Sequence, residues 1–103
     1  MIAQLRTYTI NRGKMESWSK LFNEVLVSIQ EQHGIKIEAA WTNEAKTEFI
    51  WVRSFADAED LKAKEAAFYG SEEWKAVQDE ASAHIAKGEV KLIDPALTAA
   101  RES

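Results

Sequence analysis

Two arginines set inside strand-like runs are the residues best suited to chemistry. Arg6 stands in IAQLRTYTI (residues 2–10) and Arg53 in TEFIWVRSF (residues 47–55), among apolar and aromatic neighbours on the same face. Burying a guanidinium without a partner is expensive, so each side chain needs an anion. On neighbouring strands the two would reach one anionic or carbonyl-bearing ligand, where the planar fork gives bidentate contact. The structural alternative is pairing with a carboxylate such as Glu48 or Glu65, or a side chain that runs out to the sheet rim. Tyr8, Trp41, Trp51, Phe55 and Trp74 would complete a flat, apolar pocket for an aromatic ligand. Their competing role is core filling, which best suits Trp18, Phe22 and Trp74.

The remaining polar residues carry less. His33 and His84 are the two histidines, and neither has a partner at metal-ligand spacing. His33 is expected to cap a helix C-terminus, where the partial negative charge favours its protonated form. His84 adjoins an Ala81/Ile85 core stripe and can face either way. Nothing beside either marks a nucleophile, an acid or an oxyanion hole, so no catalytic residue is assigned. The four glycines are isolated, which excludes a phosphate-cradling loop. Neither a metal nor a cofactor is expected.

The elements that position these residues follow from pattern. Residues 2–10 have strand composition, and Asn11-Arg12-Gly13 is a turn. From Lys14, Met15, Trp18, Leu21, Phe22, Val25, Leu26 and Ile29 recur at helical spacing, with Glu16, Lys20, Asn23 and Gln30 on the solvent side. His33-Gly34 ends that helix. Residues 35–42 alternate, with Ile35, Ile37, Ala39 and Trp41 facing one way. A short polar turn, Asn43 to Lys46, joins them to 47–55 as an antiparallel hairpin. The 47–55 strand is apolar on both sides and belongs in the sheet centre. Asp57 caps a helix over 58–69; Ser71, followed by Glu72 and Glu73, caps another that runs to about Lys87-Gly88. Residues 89–93 are a short last strand, stopped by Asp94-Pro95.

Composition bounds the class. At 103 residues the chain is one domain, placed at 1–97 with a loose tail over 98–103, and it buries about 65% of its unfolded surface. A net charge of −4 with both signs interspersed leaves no basic stripe for nucleic acid. The absence of cysteine excludes disulfides and thiolate chemistry. The N-terminus has no signal-peptide pattern, and no apolar stretch reaches 18 residues, so neither secretion nor membrane insertion is expected. The expected compartment is the cytoplasm.

The order strand, helix, strand, strand, helix pair, strand predicts an α+β fold. It is the ferredoxin-like (split βαβ) plan: a four-stranded antiparallel sheet with its helices on one face. The other face would present Leu5, Thr7, Thr9, Ile50 and Val52, with Lys36, Glu38 and Thr42 at its margin. That surface is too apolar for water, which predicts a homodimer packed sheet to sheet; the alternative is a monomer covered by its own tail or loops.

LRTYTI followed by Asn-Arg-Gly-Lys, then His33-Gly34-Ile35 and the Ala40-Trp41-Thr42 end of strand two, resembles the NIPSNAP family. The likeness runs from about Ile2 to Leu97. It implies the dimeric α/β barrel superfamily, which includes cofactor-independent monooxygenases of aromatic polyketides and heme-degrading monooxygenases. In such relatives the pocket lies between helices and sheet, which here implies Arg6, Tyr8, Ile10, Phe49, Trp51, Arg53 and Phe55. Heme-degrading relatives place an Asn, a Trp and an axial His where this chain has Arg6, Phe55 and Gln78, so the resemblance does not extend to heme chemistry. Two functions are carried forward. The first is binding of a small apolar or aromatic metabolite between helices and sheet. The alternative is a cofactor-independent monooxygenase or isomerase/cyclase acting on an activated aromatic substrate, with Arg6, Tyr8 and Arg53 at work.

Overall fold

In a computed structural model, residues 1–96 are described. Strand β1 (Ile2–Ile10) leads into a helical rod of three segments: α1 (Met15–Leu21), a π-helical turn (Phe22–Leu26) and α2 (Val27–Gln32). Strands β2 (Lys36–Thr42) and β3 (Glu48–Phe55) form the hairpin, helices α3 (Ala58–Tyr69) and α4 (Glu72–His84) follow, and β4 (Ile85–Ile93) closes the sheet. The sheet order is β2-β3-β1-β4 with every neighbouring pair antiparallel, which is the ferredoxin-like plan.

Local chemistry sets most boundaries. Gly34, past the end of the rod, takes φ +76°, a left-handed conformation that a β-carbon would disfavour. Asp57 and Ser71 cap α3 and α4, accepting from the Asp60 and Trp74 amides at 2.8 and 3.2 Å. The core lies between sheet and helices. One cluster joins Ile10, Trp18, Phe22, Phe49 and Trp51; a second joins Ile29, Ile35, Phe55 and Phe68. Trp18 and Phe22 are buried core residues, as the spacing predicted, and Trp74 packs half-buried against both clusters.

Four details depart from the sequence pattern. Gln30 was expected in solvent and is only 5% exposed. Trp18, Phe22, Leu26 and Gln30 step by four, which would drift round a regular helix of about 3.6 residues per turn. The π-helical turn absorbs the excess and keeps all four buried on one side. Strand β2 carries an irregularity between Ile37 and Ala39, with Ile37 opposite Arg53 but Ala39 opposite Val52. That extra residue reverses the alternation, so Ala39 and Trp41 face away from the helices. Thr42, opposite Phe49, faces toward them rather than the sheet's open side. Finally, α4 stops at His84 and β4 begins at Ile85, with no linker. Asn11 fastens that junction: its amide N–H and its side-chain Nδ2 donate to the His84 and Ala83 carbonyls, each at 2.8 Å. The expected tail, 98–103, lies outside the described residues.

Candidate functional site

The β1–β3 register sets Gln4 opposite Arg53, Arg6 opposite Trp51 and Tyr8 opposite Phe49, all on the helix side of the sheet. Gln4, Arg6 and Arg53 converge with Gln30 of α2 and Glu65 and Tyr69 of α3. Arg53 is fully buried, and four of its five N–H groups have partners. Its Nε donates to Gln4 Oε1 at 2.8 Å, Nη1 to Gln30 Oε1 at 3.0 Å, and Nη2 to Glu65 Oε2 at 2.5 Å and Tyr69 OH at 3.4 Å. Arg6 is held more loosely, and its side chain keeps 11% exposure. It donates to Gln4 Oε1 at 3.1 Å, to Tyr8 OH at 3.0 Å and to Glu65 Oε2 at 3.3 Å. Both guanidiniums lie near the Trp51 ring, at 5.7 Å for Arg6 and 5.6 Å for Arg53.

Glu65 is thus the carboxylate that both arginines share; Glu48, the other candidate from sequence, pairs with neither among the described residues. Two cations and one anion leave the cluster with one excess positive charge. Burial works against the charge on each arginine. For Arg53, burial and the repulsion of Arg6 prevail over Tyr69 and Glu65, and its pKa falls below the ordinary value. For Arg6, Tyr8, Tyr69 and Glu65 together outweigh burial and raise it. Both remain charged at neutral pH. The inner arginine is a strut; the outer one is the accessible cation.

Beside Arg6 the surface is apolar. On β4, Val90 pairs with Arg6 and Leu92 with Gln4, and they are 50% and 63% exposed. Tyr69 stands 39% exposed on the α3 side. Gly88, opposite Tyr8, lies beside the tyrosine ring, and a Cβ there would sit in ordinary van der Waals contact with ring carbons at 3.4 and 3.5 Å. The result is an acidic-partner-poor, cationic spot rimmed by exposed Tyr69, Val90 and Leu92.

The expected pocket residues therefore divide. Arg6, Tyr8, Trp51, Arg53 and Phe55 come together, with the Arg53 guanidinium 5.6 Å from the Phe55 ring. Trp74 stays nearby, tilted against Phe68 at 5.1 Å and edge-on to Tyr69 at 5.7 Å. Trp41 does not join them, because the β2 irregularity puts it on the opposite face, 57% exposed. A cavity of about 490 Å3 lies elsewhere, lined by Gly13, Met15, Glu16, Ser19, Thr42 and Lys46, and none of the expected residues borders it. The gathered residues form a filled aromatic and polar cluster whose accessible part is its rim.

Pattern alone missed Gln4, Gln30 and Tyr69. Gln4 was within reach, since strand alternation puts it on the Arg6 face. Gln30 was not, since it needs the π-helical turn. The histidines are structural in position. His84 Nδ1 donates to the Glu80 carbonyl at 2.8 Å, a tautomer assigned from the bonding pattern, which leaves Nε2 to accept from Ser17 Oγ at 2.8 Å. His33, expected only as a cap, reaches across to Glu73 at 3.3 Å. Among the described residues no three His, Asp or Glu side chains gather in a metal-binding group, and no helix is long and apolar enough to cross a membrane.

The sequence profile of the NIPSNAP family matches residues 3–99. This chain belongs to the NIPSNAP family. Solved NIPSNAP structures share the fold. A NIPSNAP domain protein from Burkholderia xenovorans superposes with TM-score 0.85 at 20% identity over 93% of this chain and 95% of its own. A NIPSNAP family protein from Agrobacterium tumefaciens gives 0.86 at 22% identity, over 92% of each chain. A putative antibiotic biosynthesis monooxygenase from Nitrosomonas europaea gives 0.70 at 10% identity, over 92% of this chain and 98% of its own. No curated protein is significantly similar in sequence.

Proposed function

We propose that this NIPSNAP protein binds a small apolar or aromatic metabolite on the helix side of its sheet, at the Arg6–Tyr8 rim. The observation that carries the reading is the exposed trio Tyr69, Val90 and Leu92 around a half-open polar cluster. Aromatic and aliphatic walls with a few convergent polar groups suit a flat ring. Arg6, Tyr8 and Trp51 make the floor, while Arg53, Gln30 and Glu65 hold that floor in place. Phe55 and Trp74 support it from within the core, and Trp41 has no part in it.

The fold shared with the putative monooxygenase favours a second reading on the same rim: cofactor-independent chemistry on an activated aromatic substrate. Such a reaction needs a cation beside the developing enolate, and Arg6 is the group in position to supply it. Oxygen consumption or isomerisation with the bound compound would separate the two readings.

We further propose that the chain is a cytoplasmic homodimer joined through the open sheet face. Leu5, Thr7, Thr9, Ile50 and Val52 lie there half-buried, and exposed Trp41 adds an aromatic ring to the same surface. An apolar face of that kind is costly in water. Native mass spectrometry on protein taken directly from purification tests both proposals. The expected spectrum is a dimer with a releasable adduct of a few hundred daltons per subunit. A monomer would overturn the assembly; a dimer to which no aromatic compound from a panel adds would overturn the binding reading.

A further inference from the structure

We infer that the ligand of this rim is an organic acid: an aromatic ring carrying a carboxylate or an equally anionic oxygen, seated on Arg6 and Tyr8. The inference rests on the binding reading above and names the chemical class it requires.

The cluster is rich in donors and short of acceptors. Arg6 Nη1 donates to the Tyr8 hydroxyl, so the oxygen is used as an acceptor and its own proton has no acceptor among the described residues. The Tyr69 hydroxyl is in the same position, accepting from Arg53 Nη2. The indole N–H of Trp51, a residue 3% exposed, has no partner either. The indole N–H is the buried one of the three, and a buried donor without a partner carries the full cost of its desolvation. Against these donors stands a single carboxylate, Glu65, whose Oε2 takes bonds from Gln4, Arg6 and Arg53. Its attachments are unequal: 2.5 Å to Arg53 and 3.3 Å to Arg6. Glu65 therefore belongs to the inner arginine and leaves the outer one under-neutralised.

An incoming carboxylate answers the two outermost, Arg6 and Tyr8. One oxygen can take the Arg6 guanidinium and the other the Tyr8 hydroxyl proton, as charge-assisted bonds in a partly water-excluded site. The attached ring then lies along the exposed Val90, Leu92 and Tyr69 surfaces. A neutral ring would gain the apolar contact and leave the donors unmet. Glu65 acts as a specificity determinant that opposes the ligand: its charge competes for Arg6 and holds affinity for acids below what the two arginines would give alone.

The test is a titration of 1-naphthoate and its uncharged counterpart 1-naphthamide, followed by ligand-observed NMR, on the full chain. Wild type should bind naphthoate at least tenfold more tightly than naphthamide. Arg6→Met should remove that preference, and Glu65→Gln should raise the ratio of naphthoate to naphthamide affinity by threefold or more. Thermal melting of each variant shows whether it is folded, and Tyr8→Phe serves as a second, milder probe that should weaken naphthoate selectively. Equal binding of the two compounds would overturn the acid class and leave the aromatic reading standing. Failure of both to bind at millimolar concentration would overturn both.

Discussion

Arg6 and Arg53 project from adjacent strands toward the same carboxylate, and their surroundings give them opposite duties. Arg53 spends its donors on Gln4, Gln30, Glu65 and Tyr69 and has no exposed surface. Removing it as Arg53→Met would strand the buried Gln30 amide oxygen and take from Glu65 its shortest ion pair, at a cost of about 3 kcal/mol. Arg6→Met leaves Gln4 and Glu65 still engaged by Arg53, so it should cost only about 1 kcal/mol. Chemical denaturation of the two variants measures the difference, and a similar loss in both would contradict the division into strut and cation. At this scale the sequence was informative about charge and poor about geometry. Strand alternation sets both arginines on one face and makes Glu65 a candidate partner. Which arginine is the more fully bonded depends on Gln30, and that depends on how the rod is wound.

The elements show where pattern reading succeeds and what limits it. Helix α3 begins and ends where Asp57 and Tyr69-Gly70 indicate, because capping and chain-breaking residues act locally. The π-helical turn and the β2 irregularity each insert one residue into a period, and the sequence shows no local signal for either. Their consequences are large: one turns Gln30 inward and the other turns Trp41 out of the expected pocket. The start of α3 also yields a pH prediction. Asp60 accepts from the Ala56 amide at 2.9 Å and from Lys64 at 3.2 Å, and the Ala56 bond foremost holds its pKa below the ordinary carboxylate value. A folded-state pKa below the unfolded one contributes stability above about pH 4, and that contribution is lost as pH falls through the folded value. Wild type should therefore lose stability between pH 5 and pH 3 more steeply than Asp60→Asn, measured by urea unfolding at each pH. Parallel pH profiles would contradict this.

For the whole molecule, one sheet serves two purposes. Its helix side holds the polar cluster; its open side carries Leu5, Thr7, Ile50 and Val52 in register across the central strands. If the proposed dimer forms through the open side, a charge placed there, as Val52→Glu, should give a monomer by light scattering without unfolding the chain, since Val52 lies outside the helix-side core. A dimer unaffected by that change would place the subunit contact elsewhere. The fold was legible as a whole because element order, hairpin length and the doubly apolar β3 all point to one topology. The rim was legible in part, since Val90 and Leu92 acquire meaning only once β4 is laid beside β1.

We propose that ligand binds on the helix side, at the β1–β4 rim. Backbone amide shifts of nitrogen-15-labelled protein titrated with 1-naphthoate test it most directly. Binding at the rim should shift a contiguous set of residues over Arg6 to Tyr8, Gly88 to Leu92 and Glu65 to Tyr69. Shifts centred on Trp41 and Ile50, or on the Lys46 and Ser19 cavity, would contradict it.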